Sequence, residues 1–262
     1  MEIILYDDGI TRELDIDAIA QYLIQKMGKI GVEVRRNPFS FNLTKDKLSD
    51  YARKIASSKI QELHQQILPN QEPLYGEIEY EKRRLLGKTK AFGILYDGFY
   101  LLRIFDEIIS REERSREFIH IFFTNRLFAT WDADDRRHHL RTSVYGVPSI
   151  ISTTGLIEAP AKPRQYYLLK QQYEMLGKDL LELKDRFKGS FIDYEDARLT
   201  EIMKGYAIQA IFYSLADDPF CENKDCRLYN AHWQEELIFA QLWGKDEFCE
   251  RHTKILEGLH KK

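Results

Sequence analysis

The chain has 262 residues, 44% hydrophobic and 31% charged, enough to bury a substantial core. Its 39 lysines and arginines nearly balance 42 aspartates and glutamates, so no net field points to nucleic acid or a membrane surface. No apolar run approaches a membrane span, and the opening residues lack the basic region of a signal peptide, so a cytoplasmic setting with reduced thiols is expected.

Residues 2–6 read as a strand, Asp7-Asp8-Gly9 as a turn, and residues 15–27 as a helix with Ile16, Ile19, Tyr22 and Leu23 on one face. Residues 31–35 return as a second strand, which predicts a β-α-β opening with a right-handed crossover. A long amphipathic helix is expected over residues 43–68, opened by Thr44 and stopped by Pro69-Asn70. The charged stretch 79–90 reads as a solvated helix or loop. Residues 118–124 are apolar almost throughout, as a central strand would be, with residues 127–131 as its neighbour. Residues 144–153 form another strand, interrupted by Pro148 as suits an edge or a bulge. Beyond Pro160 and Pro163 the pattern turns helical, over residues 164–186, 197–216, 230–243 and 246–259. The expected fold is α/β (α+β), a mixed sheet early and helices late, in one unit spanning residues 1–262.

The most definite chemistry lies near the C-terminus. Cys221 and Cys226 flank a short polar loop, and Cys249 and His252 follow three apart on one helical face. Two such couples are four soft ligands for one tetrahedral Zn2+, and a site closed by four protein ligands is structural, with no position left for water. The bland alternative is three buried thiols and a surface histidine.

Other clusters are weaker. His232 shares a helical face with Glu236, next to Glu235, and could bind metal or form a surface pair. His138 and His139 sit beside Asp132, Asp134 and Asp135 in what reads as an exposed hairpin tip. His120 reads as a hydrogen-bonded histidine inside a buried strand. The chain has no P-loop, no dinucleotide fingerprint and no nucleophile elbow.

The cysteine segment resembles the C-terminal signature of the archaemetzincins, zinc metallopeptidases related to the metzincins. Their pattern is H-E-x-x-H-x-x-G-x-x-H-C, then x4-C-x-M, then a spacer and C-x-x-C. Cys221 and Cys226 keep its second half, Leu228 stands where methionine is usual, and Cys249 with His252 takes the place of the final pair. Weaker similarity runs through Gly31-Val-Glu-Val and Val147-Pro-Ser-Ile-Ile-Ser. The resemblance implies a metzincin-like twisted sheet, an equivalent of the active-site helix at residues 199–216 and a structural zinc within residues 217–256.

The catalytic half of that signature is absent. Ala210, Ser214 and Phe220 fill the histidine positions, Ile211 the general-base position and Asp217 the glycine position. Neither alanine nor phenylalanine ligates zinc, and isoleucine takes no proton from water. The reading is therefore a family member with one structural zinc and no catalytic residues, acting by binding a peptide or protein along the sheet edge near residues 144–153. The alternative is a zinc hydrolase with ligands rebuilt from His232, Glu235 and Glu236, or from His138 and His139. A third reading is a plain interaction domain with three free thiols.

Overall fold

The computed structural model describes residues 1–39, 44–67, 72–87 and 93–260. Strand β1 (Glu2–Asp7) enters helix α1 (Ile16–Met27), where the Asp15 carboxylate caps the N-terminus by accepting from Ala18 N. Gly28, at φ 65°, ends the helix in a conformation that glycine adopts without strain, and β2 (Gly31–Arg36) returns parallel to β1. The expected β-α-β unit is present.

Helix α2 (Lys45–Ser57) starts at Thr44, as expected, and is much shorter than residues 43–68. The Ser58 hydroxyl donates to Ile55 O, and the chain then leaves to pair with β3 (Leu95–Asp97) through Lys59–Tyr96. Tertiary pairing wins over helical periodicity here. Leu43, Leu68 and the Pro69-Asn70 stop lie outside the described residues.

The charged stretch is a second correction. Helix α3 (Tyr75–Leu85) carries most of it, and Glu81 and Arg84 are buried instead of solvated; residues 88–90 lie outside the described part. Glu81 accepts from the Tyr96 hydroxyl at 2.6 Å and from Arg126 at 3.3 Å. Arg84 donates to Tyr96 Oη at 2.8 Å and to Asn125 Oδ1 at 2.6 Å. Buried charges survive only when paired and hydrogen-bonded in this way.

Helix α4 (Gly98–Asp106) leads to β4 (Phe118–Thr124), which lies beside β1 at the middle of a five-stranded sheet ordered β2-β1-β4-β8-β7, with β7 at Ser143–Val144 and β8 at Ser149–Ser152. Strand β5 (Leu127–Asp132) does not join it. It pairs with β3 and β6 (Arg137–Arg141) in a separate three-stranded sheet, which corrects the expected pairing with β4. The expected strand over residues 144–153 is two: β7 (Ser143–Val144) at the edge and β8 (Ser149–Ser152) inside, turning through the cis Val147–Pro148 peptide. β8 runs parallel to β4, and β7 is antiparallel to β8.

The helical half breaks more often than its periodicity suggests. After α5 (Thr153–Glu158), residues 164–186 divide into α6 (Arg164–Met175) and α7 (Leu180–Arg186) around Gly177, at φ 62°. Helix α8 (Leu199–Ala216) is close to expectation. The segment expected over residues 230–243 is α9 (Gln234–Ile238) with a π-helical turn, Phe239–Trp243, and α10 is Glu250–His260. No helix among the described residues is long and apolar enough to cross a membrane.

Alternation along the strands divides the core. Ile3, Leu5, Ile119, Ile121 and Phe123 face α1, α8, α9 and α10, while Ile4, Tyr6, Phe122 and Ile150 face α2, α4 and the smaller sheet. Each fully buried aliphatic side chain contributes about 1.5–3 kcal/mol. At Gly205 a Cβ would meet the Gln241 amide at 1.9 Å, so a side chain there would push that amide off its bonds to Arg227.

Two stability predictions follow from this packing. Glu81→Ala leaves Arg126 buried without its counter-charge and is expected to cost about 3–5 kcal/mol in urea unfolding; a loss below about 1 kcal/mol would show that the network contributes little. Burial raises the Asp7 carboxyl from 3.8 to about 6, although Gly9 N donates to it. The folded state thus holds a proton that the unfolded chain releases, and this stabilisation is lost as pH rises through about 6. Asp7→Asn is expected to gain about 1–3 kcal/mol near pH 8 and to converge with the parent near pH 4.

Candidate metal centre and adjoining cleft

Helix α8 stops where Asp217 turns into the left-handed region (φ 54°), and Pro219 and Phe220 carry the chain to Cys221. The loop from Cys221 to Cys226 closes on itself. Asn223 N donates to Cys221 Sγ at 3.4 Å, Cys226 N to Asn223 O at 3.0 Å and Cys221 N to Leu228 O at 2.8 Å. Cys249 directly precedes α10, where Thr253 N donates to its carbonyl, and His252 lies in the first turn, fully buried.

All four sequence-predicted ligands come together. Cys221 Sγ lies 3.8 Å from Cys249 Sγ, and His252 Nδ1 lies 3.5 Å from Cys226 Sγ and 3.1 Å from Cys249 Sγ. The four donor atoms are all within 4.8 Å of one another. Zinc bonds of about 2.3 Å to sulfur and about 2.0–2.1 Å to nitrogen give tetrahedral edges of about 3.8 Å for S···S and about 3.5 Å for S···N. The spacing therefore fits a tetrahedral Cys3His site.

Donor chemistry agrees with the spacing. Burial pushes the Cys226 thiol up to about 12 and raises Cys221. Burial opposes the Cys249 thiolate too, but backbone N–H groups of His252 and Arg251, at the start of α10, bring that thiol down. Burial, with Arg251 nearby, lowers His252, so the imidazole is neutral at pH 7 and able to ligate. A divalent cation is the natural replacement for the protons these thiols would otherwise keep. His252 Nε2 is buried without a hydrogen-bond partner among the described residues, and the ring stands edge-to-face with Phe212 (5.1 Å, 87°).

Beside this cluster lies an open cleft of about 490 Å³. Its floor is the face of α8 carrying Tyr206, Gln209 and Tyr213. One wall is residues 141–145, and the other is Phe220 with residues 229–232. The Tyr145 hydroxyl donates to Gln209 Oε1 at 2.6 Å, and the Tyr145 ring lies 6.1 Å from Tyr213 and 5.8 Å from Phe220. Ala210 and Ile211 are wholly buried beneath, and Ser214 Oγ donates back to Ala210 O within the helix.

Among the described residues, groups of three or more His, Cys, Asp or Glu donors converge in two places, and neither is the cleft. One is the Cys3His cluster. The other is Asp132, Asp135 and His139 at the β5–β6 hairpin, where His139 Nε2 meets Asp135 at 2.8 Å and Asp132 Oδ1 already accepts from Asp134 N and Asp135 N. His138 and His139 lie in β6 and so point to opposite faces. His138 is buried, with Nδ1 3.3 Å from Leu63 O. His232 lines the cleft, Glu235 is exposed and Glu236 pairs with Lys224 at 3.4 Å, so these three form no common site. His120 is held between Tyr6 Oη (3.1 Å) and Glu113 O (3.0 Å), the structural role expected of it.

Sequence reasoning missed the cleft's tyrosines and Gln209. Their signal was the spacing of Tyr206, Gln209 and Tyr213, a polar-tipped stripe along an otherwise apolar helix.

A model of the family described as "Probable metallopeptidase family (DUF6775)" matches residues 1–259, and the chain belongs to that family. Among solved structures it is similar to a zinc-dependent peptidase from Methanocorpusculum labreanum (strain Z), at 12% identity. That match covers 98% of this chain and 99% of the other, with a TM-score of 0.47. No curated protein matches the chain.

Proposed function

We propose that this protein is a zinc-clipped peptide-binding member of its metallopeptidase family, without the usual catalytic zinc and related to the archaemetzincins. Cys221, Cys226, Cys249 and His252 hold one structural Zn2+, and the cleft over α8 takes an extended peptide along β7. One observation carries this reading. The soft donors converge in one closed four-ligand cluster, while among the described residues no group of metal donors converges in the open cleft beside it, which is lined by tyrosines and amides.

Zinc at the cluster supplies folding energy. It ties the loop after α8 to the start of α10, and its ligands meet only in the folded chain. The same loop bears Phe220 and Tyr229, so the clip also holds one wall of the cleft. β7 offers an edge for strand addition, in which main-chain hydrogen bonds give affinity and pockets give specificity.

Elemental analysis is expected to give one zinc per chain, falling close to zero in Cys226→Ser with a loss of at least about 5 °C in melting temperature. Rapid reaction of all three cysteines with a thiol reagent in native protein, without zinc release, would favour the plain domain with free thiols. For the cleft, extended peptides are expected to bind and survive incubation intact. Chelator-sensitive cleavage, accompanied by a second exchangeable metal, would sink the non-catalytic reading and favour a hydrolase with relocated ligands.

A further inference from the structure

The charge of the cleft narrows what it can hold. Arg141, at the end of β6, is the one lysine, arginine, aspartate or glutamate among the described lining residues, and its Nε donates to Thr130 Oγ1 at 2.9 Å. Gln209 is 2% exposed, and its Oε1 accepts from Tyr145 at the cleft floor. Thr142 O accepts from Ser152 N at 2.7 Å and Val144 pairs with Ile150, so antiparallel alternation turns the Ser143 N–H and C=O away from β8, toward the free edge. Phe220, 38% exposed, sits beside Tyr145 as an aromatic platform.

We infer that the occupant is an extended acidic peptide, which adds its backbone to the Ser143 edge, packs an aromatic side chain against Phe220 and sets a carboxylate near Arg141. The inference rests on the reading of the cleft as a peptide site. A basic peptide would meet the Arg141 guanidinium and no carboxylate among the described lining residues, which costs affinity, although Asp132 on the neighbouring strand offsets part of that charge. The aromatic anchor supplies apolar contact area, and the charge supplies selection.

The test uses the full-length, zinc-loaded chain and short fluorescent peptides with a central phenylalanine flanked by aspartate and glutamate, by serine, or by lysine, with binding read by anisotropy. The acidic peptide is expected to bind roughly fivefold or more tightly than the lysine peptide at low salt, with the gap closing as salt is added. Arg141→Gln is expected to bring that ratio close to one and Arg141→Lys to preserve it, each in protein whose circular dichroism matches the parent. Equal or tighter binding of the lysine peptide overturns the inference, as does an unchanged ratio in Arg141→Gln. Failure of every peptide to bind would instead sink the peptide-site reading itself.

Discussion

Helix α8 runs through the interior, where it meets the core, the Cys3His cluster and the cleft. Every residue from 205 to 212 is buried, so the helix is apolar on nearly all sides and serves as an interior beam, not a surface helix. Ile208 and Ile211 join the core beneath the sheet, and Phe212 stands against the imidazole of His252. Tyr206 and Gln209 turn their polar ends to the cleft. Core, Cys3His cluster and cleft share one element, so a shift of α8 would disturb all three.

That arrangement links the clip to the cleft through few bonds. Phe220 is one residue from Cys221, and Tyr229 is bridged to Cys221 across the loop. Arg227, between them, is buried and donates to Glu247 and to the Glu201 carbonyl of α8, so the wall is tied to the floor by charge-assisted bonds as well as by the cysteine cluster. Stiffness at this wall would lower the entropy lost by a ligand that ordered against it.

Two charges of the stretch expected to be solvated, Glu81 and Arg84, proved to be interior, while Arg83 beside them is exposed, and the reason is general. Glu81 and Arg84 look solvated in a window of their neighbours, because the groups that neutralise them, Tyr96, Asn125 and Arg126, come from strands and loops well downstream. Local patterning cannot register a partner supplied from afar. Strand β5 misled for the same reason. Its apolar character fitted a strand, but its choice of sheet was set by β3 and β6.

The β-α-β opening, the central strand, the long helix α8 and the four soft donors were legible in the chain, because each is written in local spacing: period two, period three and a half, and short gaps between cysteines. Absence of an H-E-x-x-H motif was equally plain. The division into two sheets, the break after Ser57, the burial of Glu81 and the cleft between β7 and α8 emerge once the chain is folded. These depend on contacts between residues far apart in the chain, where burial and pairing outweigh the local preferences that a sequence displays.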